Sequence, residues 1–195
     1  MATEQSALPF SYDDYAAIDD GRRYQVLDGE LVMTPSPSFR HQHLVLRLSS
    51  WLYAYAETSK AGMVCVAPLD VVLAAPRPAT VLQPDMLFIA KERYGIITKP
   101  NIQGPPDLVV EVLSPSTARI DTVRKHALYA RFGVPEVWYV LNDADQVEVV
   151  TLPPGASQYG RPALYVPGDV LRSERLPGFE LQVEALFAGL ELTDG

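Results

Sequence analysis

PPDLVVEVLSPSTARIDTVRKHALYARFGVPEVWYVL, residues 105–141, decides how this chain is read. An almost wholly apolar segment, Leu108 to Leu113, carries one carboxylate, Glu111. Valine and leucine lie on both sides of it, so both faces of the strand expect cover, as in the middle of a helix-covered sheet. Strand alternation puts Asp107, Val109, Glu111 and Leu113 on one face and Leu108, Val110 and Val112 on the other. An unpaired carboxylate buried there would cost several kcal/mol, so a positive group must stand opposite Glu111. Thr117 is placed to cap a helix running to Phe132, with Gly133 and Pro135 as its stop. Val137 to Leu141 then reads as a second strand buried on both faces. Asp107, behind Pro106 at the strand start, reads first as a solvated entry residue.

The whole chain bounds this reading. At 195 residues it expects one domain with a proper hydrophobic core, here a tail over residues 1–10 and a single domain over 11–195. Sixteen basic residues against 24 acidic ones give a net charge of −8, which excludes a protein that simply coats nucleic acid. It does not exclude a nucleic-acid enzyme, because a metal site supplies positive charge locally. The single cysteine, Cys65, excludes an internal disulfide framework and a cysteine-based zinc site. No apolar run approaches a membrane span, and MATEQSALPF lacks a signal pattern, so the cytoplasm is the expected compartment.

Upstream, Ser11 caps a short helix over Tyr12 to Ile18. Two short strands from Tyr24 to Met33 flank Asp28-Gly29, a strong hairpin signal, with Glu30 directly after the turn. Ser38 caps a long helix to about Lys60, and Gly62 is read as its end. Leu44, Leu48, Trp51, Leu52 and Tyr55 form its apolar stripe. His41 starts on that buried side, the usual place of a hydrogen-bonded core histidine, whereas His43 and Arg47 point away. Met63 to Leu73 reads as a strand interrupted near Pro68, and Val81 to Ala90 as one strand with a bulge or open edge at Pro84. Asp85 then shares a face with Leu87 and Ile89, where an acid is out of place. Past residue 141, Gln146–Thr151 reads as an antiparallel neighbour, Gln158–Val166 as another strand, Val170–Leu181 as mostly extended, and Val183–Leu190 as a closing helix.

Two acids on separate apolar strands repel and raise each other's pKa. A divalent cation relieves both problems, and hard oxygen ligands with few histidines and no second cysteine favour Mg²⁺ or Mn²⁺ over zinc. Such a cation polarises a phosphoryl oxygen and activates water, and Lys125, one helix beyond Glu111, is available to orient that water or neutralise the phosphate. A surface salt bridge from Asp121 to Lys125 is the plain alternative for this lysine, worth only about 0.3–0.5 kcal/mol.

At these residues the chain resembles a known family. Pro84-Asp85, the run EVLSPST from Glu111 to Thr117, Lys125, and the segment from Tyr129 to Trp138 are similar to the Uma-two restriction-endonuclease family, within the PD-(D/E)xK nuclease superfamily. The Asp28-Gly-Glu-Leu-Val32 hairpin, the Pro/Ser stretch and His41 fit its N-terminal pattern. The resemblance covers roughly residues 10 to 190 and implies an α+β fold, a restriction endonuclease-like mixed sheet flanked by helices. It implies a metal-dependent phosphodiester hydrolase acting on nucleic acid, DNA first, often as a homodimer. It makes Asp85 and Glu111 the metal ligands, adds the main-chain carbonyl of Val112, makes Lys125 the catalytic lysine and Glu30 an auxiliary acid. His41, Asp107 and Tyr129 are further auxiliary candidates.

One departure keeps alternatives open. The superfamily lysine stands two positions after the glutamate, which here is Leu113. A catalytically silent nuclease-like fold, acting as a nucleic-acid or protein interaction module, is the second reading. A plain structural or small-molecule-binding domain, with Glu111 neutralised by Arg119, Arg124 or Lys125, is the third.

Overall fold

The computed structural model describes residues 8–113 and 118–190, with the side chains of residues 118–122 outside that description. The Thr117 cap and the Asp121–Lys125 pair expected from the sequence therefore lie outside the described residues. Ser11 accepts from the main-chain N–H of Asp14 and caps α1 (Tyr12–Ala16). Next come β1 (Tyr24–Leu27) and β2 (Glu30–Met33), paired antiparallel around Asp28-Gly29, both at positive φ as a tight hairpin turn demands. Phe10, expected at the end of a loose tail, is tied by its main chain to Gly29 at 2.8 Å and to Ala79 at 2.9 Å. The Ser38 hydroxyl accepts from the N–H of His41 and starts α2 (Phe39–Ser59). Left-handed Lys60 ends that helix, and Gly62 already belongs to β3 (Gly62–Val66).

The middle of the chain departs most from expectation. After β4 (Val71–Ala74), the segment read as one strand is two, β5 (Thr80–Leu82) and β6 (Met86–Ala90), lying in different sheets. Pro84, lacking an N–H for either ladder, sits in the crossover with Asp85 beside it. A 3₁₀ turn (Lys91–Ile96) leads to β7 (Ile102–Gln103), inside a stretch expected to be loop, and then to β8 (Leu108–Leu113). Helix α3 (Ala118–Arg131) returns the chain to β9 (Glu136–Leu141), parallel to β8, and β10 (Gln146–Thr151) pairs antiparallel with β9. Of the strand expected over 158–166 only β11 (Ala163–Tyr165) forms, and the extended stretch 170–181 is a two-strand pair, β12 (Val170–Arg172) with β13 (Glu180–Gln182). The last helix, α4 (Val183–Phe187), is shorter than expected.

Among the described residues three sheets result: β2-β1-β5-β4-β7, β11-β10-β9-β8-β6-β3, and the β12-β13 pair. One face of the six-stranded sheet, with Phe88, Val110, Trp138 and Val149, packs under Leu44, Leu48 and Leu52 of α2 and under Leu186 of α4. The other face, with Val109, Val137 and Tyr139, packs against Leu128 and Tyr129 of α3 and Leu27 and Leu82 of the five-stranded sheet. This is an α+β architecture with mixed sheets flanked by helices. Strand β8 is covered on both faces, as its composition demanded, and Glu111 lies on the α3 side.

Candidate functional site

The register of β6 against β8 brings the two acids together. Met86 pairs with Val110 and Leu87 with Val109, so one step further along each strand Asp85 and Glu111 are the next opposed positions. Asp85 has left the ladder and folds its carboxylate over the end of β8, where Oδ2 accepts the N–H of Val112 at 2.7 Å. Its other oxygen meets His41 Nε2 at 3.1 Å, reaching from the inner side of α2. The three-residue offset from Leu44 pointed His41 inward, and its partner proves to be the first of the two acids. His43 and Arg47, expected to point away, contact each other at 3.0 Å, and Arg47 also donates to carbonyls at the end of α4.

Glu111 is 7 % exposed and is held from α3. Tyr129 donates its hydroxyl to Oε1 at 2.6 Å, and Lys125 Nζ stands 3.3 Å from the same oxygen and 3.5 Å from Oε2. Positions 125 and 129 are one helical turn apart, so a single face of α3 supplies both. Of the bases that could neutralise Glu111, Lys125 is in contact and Arg124 pairs instead with Glu30, while the side chain of Arg119 lies outside the described residues.

Burial pushes the Glu111 carboxyl above its ordinary range, and the Asp85 charge pushes the same way, while Lys125 and Tyr129 pull against them. The Tyr129 hydroxyl is driven well above its usual value by burial and by Glu111, so it stays a donor. Burial works against a charged His41, but its contact with Asp85, helped by Glu111 and the main chain of Val112, outweighs this and raises its pKa. Glu111 thus feels the Asp85 charge, and each acid already faces a base.

A cavity of about 580 Å³ opens over this cluster, lined by His41, Asp85, Glu111, Val112 and Lys125 together with the Thr34–Pro37 segment. Leu113, at the position where a superfamily lysine is usual, also lines it. Two of the expected auxiliary acids lie elsewhere. Glu30 is on the exposed hairpin, paired with Arg124 at 2.8 Å, and does not line the cavity. Asp107 is not a solvated entry residue: it accepts from Ala90 N–H at 2.8 Å and from Arg93 at 2.9 Å, tying the opposite end of β8.

The cavity also contains residues the sequence did not single out. Gln25 is buried on β1; its Oε1 accepts from the N–H of Gln83 at 2.9 Å, and both side chains form wall. Arg40 lines the same space but is occupied, bonding Asn142 Oδ1 at 2.6 Å, the Leu190 carbonyl at 2.6 Å and Asp145. Arg23 lines it as well.

Among the described residues no three histidine, cysteine, aspartate or glutamate side chains converge as a ready-made metal cage. Two carboxylates and a main-chain carbonyl still match how Mg²⁺ is commonly held, through one or two carboxylates with water and substrate oxygens filling the other positions. Glu111 Oε2, whose contact with Lys125 is long, and the remaining lone pairs of Asp85 are hard-oxygen donors facing a roomy cavity. The donor chemistry fits that cation.

A mixed sheet with two carboxylates over one cavity and a helix lysine beside them is the constitution of a nuclease-type fold. The family model described as "Putative restriction endonuclease", Uma2, matches residues 11–184, and the chain belongs to that family. Among solved structures it is similar to a protein described as a putative nuclease belonging to DUF820 from Anabaena variabilis ATCC 29413. The TM-score is 0.76 at 14 % identity, over 92 % of this chain and 98 % of the other. That likeness is one of fold. No curated protein matches the chain. Among the described residues no helix is long and apolar enough to cross a membrane.

Proposed function

We propose that this protein is a metal-dependent endonuclease that hydrolyses phosphodiester bonds of nucleic acid, DNA first. The observation that carries the reading is the convergence of Asp85 and Glu111, far apart in the chain, on one cavity beside Lys125. Asp85, Glu111 and the carbonyl of Val112 would hold Mg²⁺ or Mn²⁺, which when bound supplies Lewis-acid polarisation of the phosphate. Tyr129 fixes the Glu111 carboxylate through its 2.6 Å bond and keeps it from rotating away. Lys125 directs its ammonium into the same space, where it neutralises charge building on the attacked phosphate and orients the water whose oxygen displaces the leaving strand. His41 holds Asp85 from the opposite wall. Assembly as a homodimer and a cytoplasmic location belong to the same proposal.

The test uses pure protein with several nucleic acids, with and without Mn²⁺. Cleavage is expected only with the metal and is expected to vanish in Lys125→Ala. Binding to the folded state alone stabilises by about 2.7 kcal/mol at a hundredfold excess over Kd. At roughly 2–4 °C per kcal/mol for a chain this size, Mg²⁺ or Mn²⁺ should raise Tm by several degrees in wild type and not in Asp85→Ala or Glu111→Ala. A second reading has its own support: each acid already faces a base, and Leu113 occupies the usual lysine position. Metal stabilisation without cleavage of any nucleic acid would select that silent interaction module, and indifference to metal would sink the endonuclease.

A further inference from the structure

Beside the acidic cavity lies a second recess of about 350 Å³, and Arg23 and Gln83 line both. Three tyrosines, Tyr12, Tyr15 and Tyr24, form part of its wall. Each phenol oxygen is tied down. Tyr15 donates to Asp70 Oδ1 at 2.8 Å, Tyr24 donates to Asp20 Oδ2 at 2.7 Å, and Tyr12 accepts from Asn101 Nδ2 at 2.7 Å. Gln83 Nε2 donates to the same Asp70 oxygen at 2.8 Å, which locks the partition between the two spaces. The rings are therefore held in place as part of the recess wall.

The cations around these spaces differ in how they are used. Arg40 is spent on Asn142, Asp145 and Leu190, and Lys125 faces Glu111. Arg23 is exposed and, among the described residues, has no carboxylate partner and donates no side-chain hydrogen bond, whereas its exposed neighbour Arg22 stands beside Asp20, donating its main-chain N–H to Oδ1 at 2.9 Å. In a chain of net charge −8, an unpaired guanidinium group at the junction of the cavities, with a second arginine next to it, marks where a polyanion meets attraction rather than repulsion. Guanidinium takes phosphate oxygens in a bidentate fork, and a rigid aromatic wall takes the face of a base. A base still paired and stacked in a duplex cannot enter such a recess.

We propose that Arg23, with Arg22, and the tyrosine-walled recess form a subsite for an unpaired nucleotide adjoining the one at the acidic cavity, the guanidinium groups taking its phosphate and the tyrosines its base. The assignment rests on the nuclease reading and names its substrate class: single-stranded nucleic acid, or a frayed or flipped position in a duplex.

The full chain is tested by fluorescence anisotropy with a labelled single-stranded oligonucleotide, in chelator, across a salt series. Arg23→Ala is expected to weaken binding roughly tenfold and to reduce the slope of log affinity against log salt by about 0.7, the share of one phosphate on a single strand. Arg23→Lys keeps the slope with a smaller loss. Ala16→Trp, filling the recess from the exposed side of α1, weakens binding without changing the slope. Arg161→Ala, at an exposed arginine lining neither space, changes nothing. Binding by Arg23→Ala within twofold of wild type at unaltered slope, an equal loss in Arg161→Ala, or full affinity in Ala16→Trp overturns the subsite. Wild type that cleaves while Arg23→Ala binds normally removes this inference alone; wild type that neither binds nor cleaves any nucleic acid removes the nuclease reading with it. Melting curves check that the variants are folded, as expected for exposed, unpaired positions.

Discussion

Glu111 shows how a buried charge is made tolerable. Burial disfavours its ionised form, and the Tyr129 bond and the Lys125 ammonium restore it. Removing Lys125 leaves that carboxylate with too little compensation, so Lys125→Ala should lose about 3–5 kcal/mol in urea unfolding. The charge-free pair Glu111→Gln with Lys125→Met should recover most of the loss, because Gln still accepts from Tyr129. A loss under 1 kcal/mol (roughly the level of a surface pair) would contradict the burial account. Glu136 is a second buried acid, 2 % exposed, accepting from Trp138 Nε1 at 2.7 Å and Ser173 Oγ at 2.6 Å. Burial raises its pKa, more than these bonds and nearby Arg175 lower it, with Glu174 adding to the rise. A carboxyl whose folded pKa is raised contributes stability in full below its unfolded pKa and loses it as pH rises through the folded value. Glu136→Gln keeps both accepting contacts, so its melting temperature should gain on wild type between pH 4 and pH 7; a parallel pair of pH curves would refute this. In the sequence, acids inside apolar strands were conspicuous because they break the pattern, and that made Asp85 and Glu111 legible, with Lys125 and Tyr129 one helix away. Arg23, Gln25 and Gln83 were not, since polar residues at a hairpin or a crossover are ordinary composition. Glu30 and Asp107 looked equally acidic in the sequence, and only their partners Arg124 and Arg93 separate them from the cavity.

At the scale of elements, the periodic pieces were readable and the junctions were not. The three- and four-residue stripe of α2 and the apolar run of β8 carry their own signal, so their bounds agree with expectation within a residue or two. Val81 to Ala90 reads as one strand with a bulge or open edge at Pro84, and the choice of partner, β1 and β4 for one half and β3 and β8 for the other, turns that irregularity into a full break. Sequence spacing does not encode that choice. Gly62 illustrates a residue read for the wrong reason. It does not stop α2; a Cβ there would collide with the Ile89 carbonyl and come within 2.5 Å of Phe88 Cζ, so close pairing of β3 on β6 requires glycine. The carbonyl belongs to a paired strand and cannot retreat. Gly62→Ala should therefore cost about 1–3 kcal/mol or more in chemical denaturation. The real helix end, Lys60 at φ 55°, makes the opposite prediction: Lys60→Gly should stabilise by about 1 kcal/mol, since glycine carries no left-handed penalty. A stable Gly62→Ala would mean the two strands do not pair as closely as this.

For the whole molecule, the acidic balance constrains how any nucleic acid is held. A protein that coats a strand spreads many lysines and arginines along it, and its affinity collapses with salt as counterions are released. Here the net charge is −8, and most arginines near the site are already paired: Arg40 with Asp145, Arg124 with Glu30, Arg131 with Asp28. Among the described residues by the cavities, Arg23 stands without a carboxylate and Arg22 beside Asp20, so these side chains offer neutralisation to one or two phosphates before any cation enters. At about 0.7 per phosphate on a single strand, log affinity should fall against log salt with a slope of roughly −0.7 to −1.4. Salt acts on the fold in the opposite direction, because screening relieves the mutual repulsion of surplus carboxylates, and Tm should rise modestly over the same series. Anisotropy and thermal melts on one set of buffers measure both. A binding slope steeper than about −4 would demand a basic surface that the paired arginines do not leave, and a Tm that falls with salt would show that the surface ion pairs outweigh the acidic surplus.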